Sequence, residues 1–370
     1  MVCILLLAAF AFAKGDQKII SLTKFFKLIN QGQRNFYTIH KLTIYAKKIE
    51  NLINLTELED ALHSAKGKTP GGDRISYPMI KNLSLTSKKY LLNIYNNILT
   101  SGVYPQSWKT AVIIPIPKPN KDPYIVSCYR PISLLPCISK TLEKIIARRL
   151  MWFLKINNLI THNQVAFMKK QGTDDILLYI QHFISKALSS KNHVSVLATD
   201  FERAFDRIGI HVILQQLIEW KIGKKMFHLV KSFLSNRKIQ VKINNHPSKN
   251  VPLHNGIPQG SPLSVVLFII AFNQLSIIIS KHKHIEHSIY ADDAIIFTKI
   301  NDNNKVKEIF SNTLKDIDDW CQASGAKLSI DKCSLMHICR KHNCNIFDIE
   351  YNNTIINRVG QSKKDPSKLQ

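Results

Sequence analysis

Ser288–Lys299 reads SIYADDAIIFTK, two short apolar strands around a tight Ala-Asp-Asp turn. An Asp-rich turn between strands is ordinarily solvated punctuation. Here the flanks are apolar enough to be buried, which sets Asp292 and Asp293 at the edge of a core. A second acidic spot lies upstream, where the strand Val194–Thr199 (VSVLAT) ends at Asp200, with Glu202 and Asp206 close by. Carboxylates crowded at strand ends repel each other, and their ionised forms need a cation. Hard divalent ions such as Mg²⁺ accept such oxygens and keep room for water and phosphates. Two of them about 3.5–4 Å apart can stabilise both oxygens of an in-line phosphoryl displacement.

Between the acidic spots, Gly256–Ser264 (GIPQGSPLS) opens the apolar run Ser261–Ile279 with a glycine-bearing turn. Its small residues allow close approach of a base or sugar to the backbone. The run is long enough to raise a transmembrane question, but it contains Asn273 and Gln274 and reads as a buried helix. Tyr129–Leu134 (YRPISL) sets Arg130 in a basic region shared with Lys118. A guanidinium fork and a lysine point charge together suit a triphosphate, although either alone reads as a solvated surface charge.

Other elements follow from periodicity and punctuation. Thr69–Asp73 (TPGGD) is a turn, Tyr90–Leu99 is helical, and Ala111–Ile116 is a strand entering a Pro-rich turn over Pro115–Asn120. Helices are expected over Thr141–Leu150, Asp175–Leu188 and Val306–Ser324, with a long helical stretch after Asp200 through Leu234. A hairpin is expected over Ile239–Ile243 and Val251–Leu253, and a short strand over Lys327–Ile330.

The 370 residues hold 51 Lys+Arg against 26 Asp+Glu, a formal net charge of +25. With 45 % hydrophobic residues the chain can bury a core, which excludes wholesale disorder. Such an excess on a folded chain calls for a polyanion, nucleic acid first and anionic membrane second. It is densest over residues 81–160, where 12 Lys/Arg face only Asp122 and Glu143. Seven scattered cysteines do not make a disulfide scaffold. Val2–Ala13 resembles the apolar part of a secretory signal but lacks a cationic start, and it is not expected to act as one.

Taken together, Lys118, Tyr129–Leu134, Ala198–Asp206 (ATDFERAFD), Gly256–Ser264, Tyr290–Asp293 (YADD) and Gly325–Lys332 (GAKLSIDK) resemble a reverse transcriptase. Their order resembles the polymerase of a jockey-like non-LTR (LINE-type) retrotransposon over roughly residues 60–357. The resemblance implies an α+β right-hand fold, with fingers over 60–190, palm over 191–340, an N-terminal segment 1–59 and a divergent tail 341–370. It implies that Asp200, Asp292 and Asp293 hold two Mg²⁺ ions, with Mn²⁺ as the alternative metal. Phe205 would exclude a 2′-hydroxyl, although its periodicity alone suits a core Phe. Gln259 and Gly260 would contact nucleotide and template, and Lys118 and Arg130 would grip the triphosphate. Lys332 would protonate the pyrophosphate leaving group.

The implied partners are an RNA template, a DNA primer or target and dNTPs, with no stable membrane association and cytoplasmic and nuclear work. Some positions depart from the family. Ala166, Met168 and Gly172 stand in Asn163–Asp175 where the fingers pattern has Gly, Arg and Ser. Gly360–Gln370 is polar and unlike the family, so the primer grip and thumb are expected to be missing. Cys333, His337, Cys339, His342 and Cys344 match no zinc-site spacing. The alternative to an RNA-directed DNA polymerase is a decayed retroelement fragment that only binds nucleic acid.

Overall fold

A computed structural model describes residues 41–359, apart from 68, 121, 169–170, 244–245 and 341–346. The apolar start Val2–Ala13 and the tail from Gly360 lie outside the described residues, as does part of the Asn163–Asp175 segment.

After a helix over 41–49 come α1 (Leu55–His63), α2 (Tyr77–Lys81) and α3 (Leu85–Ser101). Asn54 and Glu57 cap α1 reciprocally, each side chain accepting the other's backbone N–H. The hairpin of β1 (Thr110–Pro117) and β2 (Tyr129–Leu134) follows, then the long helices α4 (Cys137–Ile156) and α5 (Thr173–Ser189). Strand β3 (Val194–Asp200) leads into α6 (Ala204–Arg207), α7 (Ile210–Glu219) and α8 (Lys224–Leu234). Next are β4 (Arg237–Ile243), β5 (His246–Pro247), β6 (Val251–Leu253) and α9 (Pro262–Ile279). The remaining elements are β7 (Glu286–Tyr290), β8 (Asp293–Thr298), α10 (Asn303–Ser324), β9 (Ser334–Ile338), β10 (Glu350–Tyr351), β11 (Thr354–Ile355) and β12 (Asn357–Arg358).

The larger strands form two sheets. The first runs β2-β1-β4-β5, with β6 also on β4, and β1 pairs parallel to β4. The second runs β12-β9-β3-β8-β7 and carries β3 antiparallel to both β8 and β9. The mixed helix–sheet class expected from the sequence is present. Strand β4, although it follows β3 in the chain, belongs to the first sheet, so the two sheets are interleaved along the sequence.

Two local expectations change and one boundary shifts. Strand β1 does run into a turn at Pro119–Asn120, but its ladder reaches Pro117, with Pro115 paired to Pro131 and Pro117 to Tyr129. In an antiparallel ladder alternate pairs exchange no hydrogen bonds, so these positions tolerate residues without an N–H. The helical stretch to Leu234 is broken into three at Gly209 and Gly223, which precede α7 and α8. Lys327–Ile330 is no strand. Only Leu328 bridges Phe201, and Ile330–Lys332 closes as a 3-10 turn.

Helix α9 is apolar nearly all round because most of its circumference is covered, with Ile277 its most exposed apolar side chain. It packs against α4, α7, α10 and β7, and Leu267, Phe268, Ile270, Phe272 and Leu275 are fully buried. Long and apolar enough to cross a membrane, it is 72 % buried inside the protein, as a core helix should be. Ser261 caps its start, accepting the Ser264 N–H, and Pro262 occupies the first turn, where its missing N–H costs nothing.

The segment ahead of α5 is pinned to the second sheet through buried polar groups. Val165 N–H donates to the Ile289 carbonyl (3.0 Å), and Ile289 N–H to the Asn163 carbonyl (2.7 Å). His287 on β7 is 2 % exposed and lies 2.8 Å from Ser276 Oγ and 3.0 Å from the Asn163 amide. Burial draws its pKa from the ordinary 6.5 down to about 4, so it stays neutral in the fold. An unfolded His takes up its proton near 6.5, so this residue's contribution is complete above that pH and is lost as pH falls toward 4. In urea titrations, His287→Asn should lose less stability than the parent between pH 6.5 and 4, a difference a flat parent profile would contradict.

Candidate active site

Asp200 closes β3 and Asp293 opens β8, and the two are direct partners in the antiparallel register. The pairing lies inside the core. Val194 and Leu197 on β3 and Ala294, Ile296 and Phe297 on β8 are buried on both faces of the sheet, as central strands are. Tyr290 pairs with Asp293 across β7 and β8, leaving Ala291-Asp292 as a two-residue turn. Ala291 adopts φ 55, a left-handed conformation that costs a non-glycine residue of order 1 kcal/mol and is held by the paired strands on either side. The turn brings Asp292 beside the other two carboxylates.

The electrostatics record the crowding. Partial burial holds the Asp292 carboxyl above its ordinary range, and the Asp200 charge adds to this. Desolvation also raises Asp293, with the charges of Asp292 and Asp200 acting in the same direction. Lys332 is the cation nearest the cluster, its Nζ 2.9 and 3.2 Å from the two Asp200 oxygens. That hydrogen bond holds the ammonium protonated beyond the usual lysine range. One lysine against three carboxylates leaves the cluster net negative. Oxygen ligands of this kind suit hard divalent cations rather than soft ones, although among the described residues no three such side chains converge as a ready-made metal site.

Lys332 arrives there because its loop is stitched to the end of β3. Ser329 N–H donates to the Asp200 carbonyl and Glu202 N–H to the Lys327 carbonyl, both at 2.8 Å. Gly325 ends α10 with φ 77, and a Cβ there would lie 2.9 Å from the Arg207 carbonyl, so no larger residue fits. Glu202 is turned to Lys327 (3.2 Å) and stands outside the carboxylate cluster.

The Gly256–Ser264 turn docks on the same segment. Gly256 N–H donates to the Ile208 carbonyl (3.0 Å) and Ile257 N–H to the Phe205 carbonyl (2.8 Å). Gly256 sits at φ 81 with its Cα so close to the chain that a Cβ would lie 2.5 Å from the Asp206 carbonyl oxygen. Gln259 Nε2 donates to Asp206 Oδ1 at 2.9 Å. This link has no signature in sequence: Asp206 stands out there only as an acid near Asp200. Phe205 stacks on Phe268 at 4.2 Å and 7°, and Phe268 on Phe272 at 4.2 Å, so its ring is backed by the core while remaining partly accessible.

On the first sheet, Arg130 pairs with Ile116, and Lys118 N–H donates to the Cys128 carbonyl (2.8 Å). By the two-residue alternation of strands, Lys118 and Arg130 point to one face of the hairpin. Strand β2 also meets the turn, since a Cβ on Gly260 (φ 97) would lie 3.0 Å from the Ser133 carbonyl. The structure therefore gathers Asp200, Asp292, Asp293 and Lys332 into one cluster and connects Gln259 to its base. Lys118 and Arg130 stand on the neighbouring sheet, connected to the turn through β2.

The chain is similar to several known proteins. The family model described as reverse transcriptase (RNA-dependent DNA polymerase) matches residues 116–364. The chain is 28 % identical over 271 residues to the RNA-directed DNA polymerase from mobile element jockey of Drosophila melanogaster, covering 72 % of this chain. It is 30 % identical over 287 residues to the Drosophila funebris protein of the same description, covering 76 % of this chain. The matched parts make up only 30 % and 31 % of those two relatives, so the chain spans about a third of their length. A solved telomerase from Candida tropicalis, truncated from its C-terminal domain, aligns at 16 % identity and TM-score 0.47, over 72 % of this chain and 59 % of that one. With its family model covering most of the described residues, the chain belongs to the reverse transcriptase (RNA-dependent DNA polymerase) family.

Proposed function

We propose that this chain is the fingers-and-palm part of an RNA-directed DNA polymerase and extends a primer 3′-hydroxyl with dNTPs on an RNA template. The observation that carries this reading is the β3–β8 register, which sets Asp200 opposite Asp293 with Asp292 in the adjoining turn. The β1–β2 hairpin and the helices over 60–190 serve as fingers, and the strands β3 to β9 with their helices over 191–340 serve as palm. Asp200, Asp292 and Asp293 would hold two Mg²⁺ ions, with Mn²⁺ as substitute, and bound there such ions would supply charge neutralisation at the attacking and leaving oxygens.

The chain's own residues do the rest. Lys118 and Arg130, on one face of their hairpin, take the triphosphate by point charge and by fork. Gln259, oriented by its bond to Asp206, and Gly260, with no side chain in the way, present the backbone of the turn to nucleotide and template. Phe205, stiffened by the Phe268 stack, closes the space a ribose 2′-hydroxyl would need. Lys332, protonated beside Asp200, supplies the proton to the departing pyrophosphate. The template lies along the basic fingers and is read through its backbone and A-form shape. Such work belongs to the cytoplasm and nucleus.

Primer extension on an RNA template with Mg²⁺ tests the reading. Product should form and be abolished in Asp200→Asn, with RNA retention on a filter unchanged. RNA retained by the parent with no product from any primed template would reduce the chain to a binding fragment. Lys332→Met should slow single-turnover extension by roughly 10²-fold, the size of a lost general acid, without weakening dNTP affinity. Replacing Phe205 by Val should raise ribonucleotide incorporation relative to deoxyribonucleotide by at least roughly tenfold, about 1.4 kcal/mol of lost discrimination, and an unchanged ratio would remove Phe205 from sugar selection.

A further inference from the structure

In a chain with few acids, one carboxylate is buried far more completely than the metal-site candidates. Glu143, on the inner face of α4, is 1 % exposed. Its Oε1 accepts from the Tyr104 hydroxyl at 2.6 Å, and its Oε2 accepts from the Ser261 hydroxyl at 2.5 Å. Tyr104 and Ser261 are each 2 % exposed. Ser261 is the residue directly after Gln259-Gly260, and its Oγ also accepts the Ser264 N–H that starts α9. The turn thus has a buried anchor on a helix of the fingers.

A neutral acceptor could make the same two bonds, so the charge needs its own reason. Arg237, at the start of β4, is 2 % exposed and donates through Nη1 to the Phe233 carbonyl at 3.0 Å. Its guanidinium lies over the Phe233 ring at 4.7 Å, and its Nη2 has no hydrogen-bond partner among the described residues. Burial draws the pKa of the Arg237 guanidinium down, and Tyr104 and then Glu143 act against this from beyond ion-pair distance. The carboxylate therefore faces two elements, gripping Ser261 directly and adding a counter-charge on the side of Arg237.

We infer that Glu143 is a positioning residue for nucleotide selection, holding the Gln259-Gly260-Ser261 turn in the shape that receives the incoming dNTP. This rests on the polymerase reading above. The turn is braced by Asp206 through Gln259, by the Ser133 backbone against Gly260, and by Glu143 through Ser261. Of these, only the Glu143 bond is wholly out of solvent, so it survives water and salt at the site.

Glu143→Asp keeps the charge that Arg237 needs but is one methylene too short to reach Ser261. It should raise the dNTP KM about tenfold with a smaller change in kcat, the size of a lost hydrogen bond to a charged group. Ser261→Ala should do the same from the other side, and the double variant should be no worse than Ser261→Ala alone. Tyr104→Phe removes the other bond to Glu143 and should leave the KM within about twofold, since it does not touch the turn. Hydrogen exchange supplies a readout independent of activity. In Glu143→Asp the amides of Gly260, Ser261, Leu263 and Ser264 should exchange faster, with those of β3 and β8 unchanged. Should the parent chain make no product, the polymerase reading falls and exchange alone decides the role of Glu143. An unmoved KM together with unmoved exchange in the turn, or equal loosening across the whole chain, overturns the inference.

Discussion

Mutual repulsion among Asp200, Asp292 and Asp293 is the constraint around which the rest is arranged. Three carboxylates at the end of a sheet would spread apart if their strands were free to move. They are not free, because β3 is central in the second sheet, flanked on one side by β8 and on the other by β9. In the same sheet β7 packs on α9, whose buried apolar side chains make a floor. The antiparallel register fixes Asp200 against Asp293, and the strained conformation at Ala291 fixes Asp292. Hydrophobic packing thus holds in place charges that would otherwise part, and this leaves a net negative cluster within a protein of +25.

The same logic extends outward by backbone rather than by side chains. The loops around the cluster are joined to one another through main-chain bonds: Ser329 to Asp200, Glu202 to Lys327, Ile257 to Phe205. Close approaches at Gly256, Gly260 and Gly325 are possible only without a Cβ. Such contacts leave little freedom for the loops to shift, so pre-organisation is built into the chain before any ligand arrives. Buried polar groups do comparable work between elements, Glu143 joining α4 to the start of α9 and His287 joining β7 to α9 and to the Asn163 segment.

How much of this could be read in the sequence depended on whether the signal was local. The strand–turn–strand around Asp292-Asp293 was legible because its pattern is complete within twelve residues. So was the burial of α9, since an apolar run broken by Asn273 and capped by Ser261-Pro262 reads as a core helix, and Asn273 indeed accepts from the Thr161 N–H. The strand β1 and the turn after it were legible to within a residue, but only the register shows that Pro115 and Pro117 occupy positions needing no N–H. The Lys327–Ile330 segment has the composition of a strand, but its partner edge is taken after one bridge. Glu143 was invisible as anything but a charge on a helix: its partners, Tyr104 and Ser261, lie 39 and 118 residues away. Asp206 was noticed for its charge, but its bond to Gln259 spans 53 residues and has no local trace.

The parallel pairing of β1 with β4 has a consequence for how the protein is made. Tyr104 and Ser232, which flank that pairing and bond to each other, are separated by 128 residues. On the ribosome, at about 5–20 residues per second, the β1–β2 hairpin, complete at Leu134, would wait roughly 5–20 s for β4 to begin at Arg237. During that interval the edge of β1 with its run Ala111–Ile114 offers unpaired backbone to any other strand. Long-range closure of this kind slows folding and exposes nascent chains to one another. Expression yield should therefore be governed less by the stability of the finished palm than by how well that edge is shielded before residue 237 emerges.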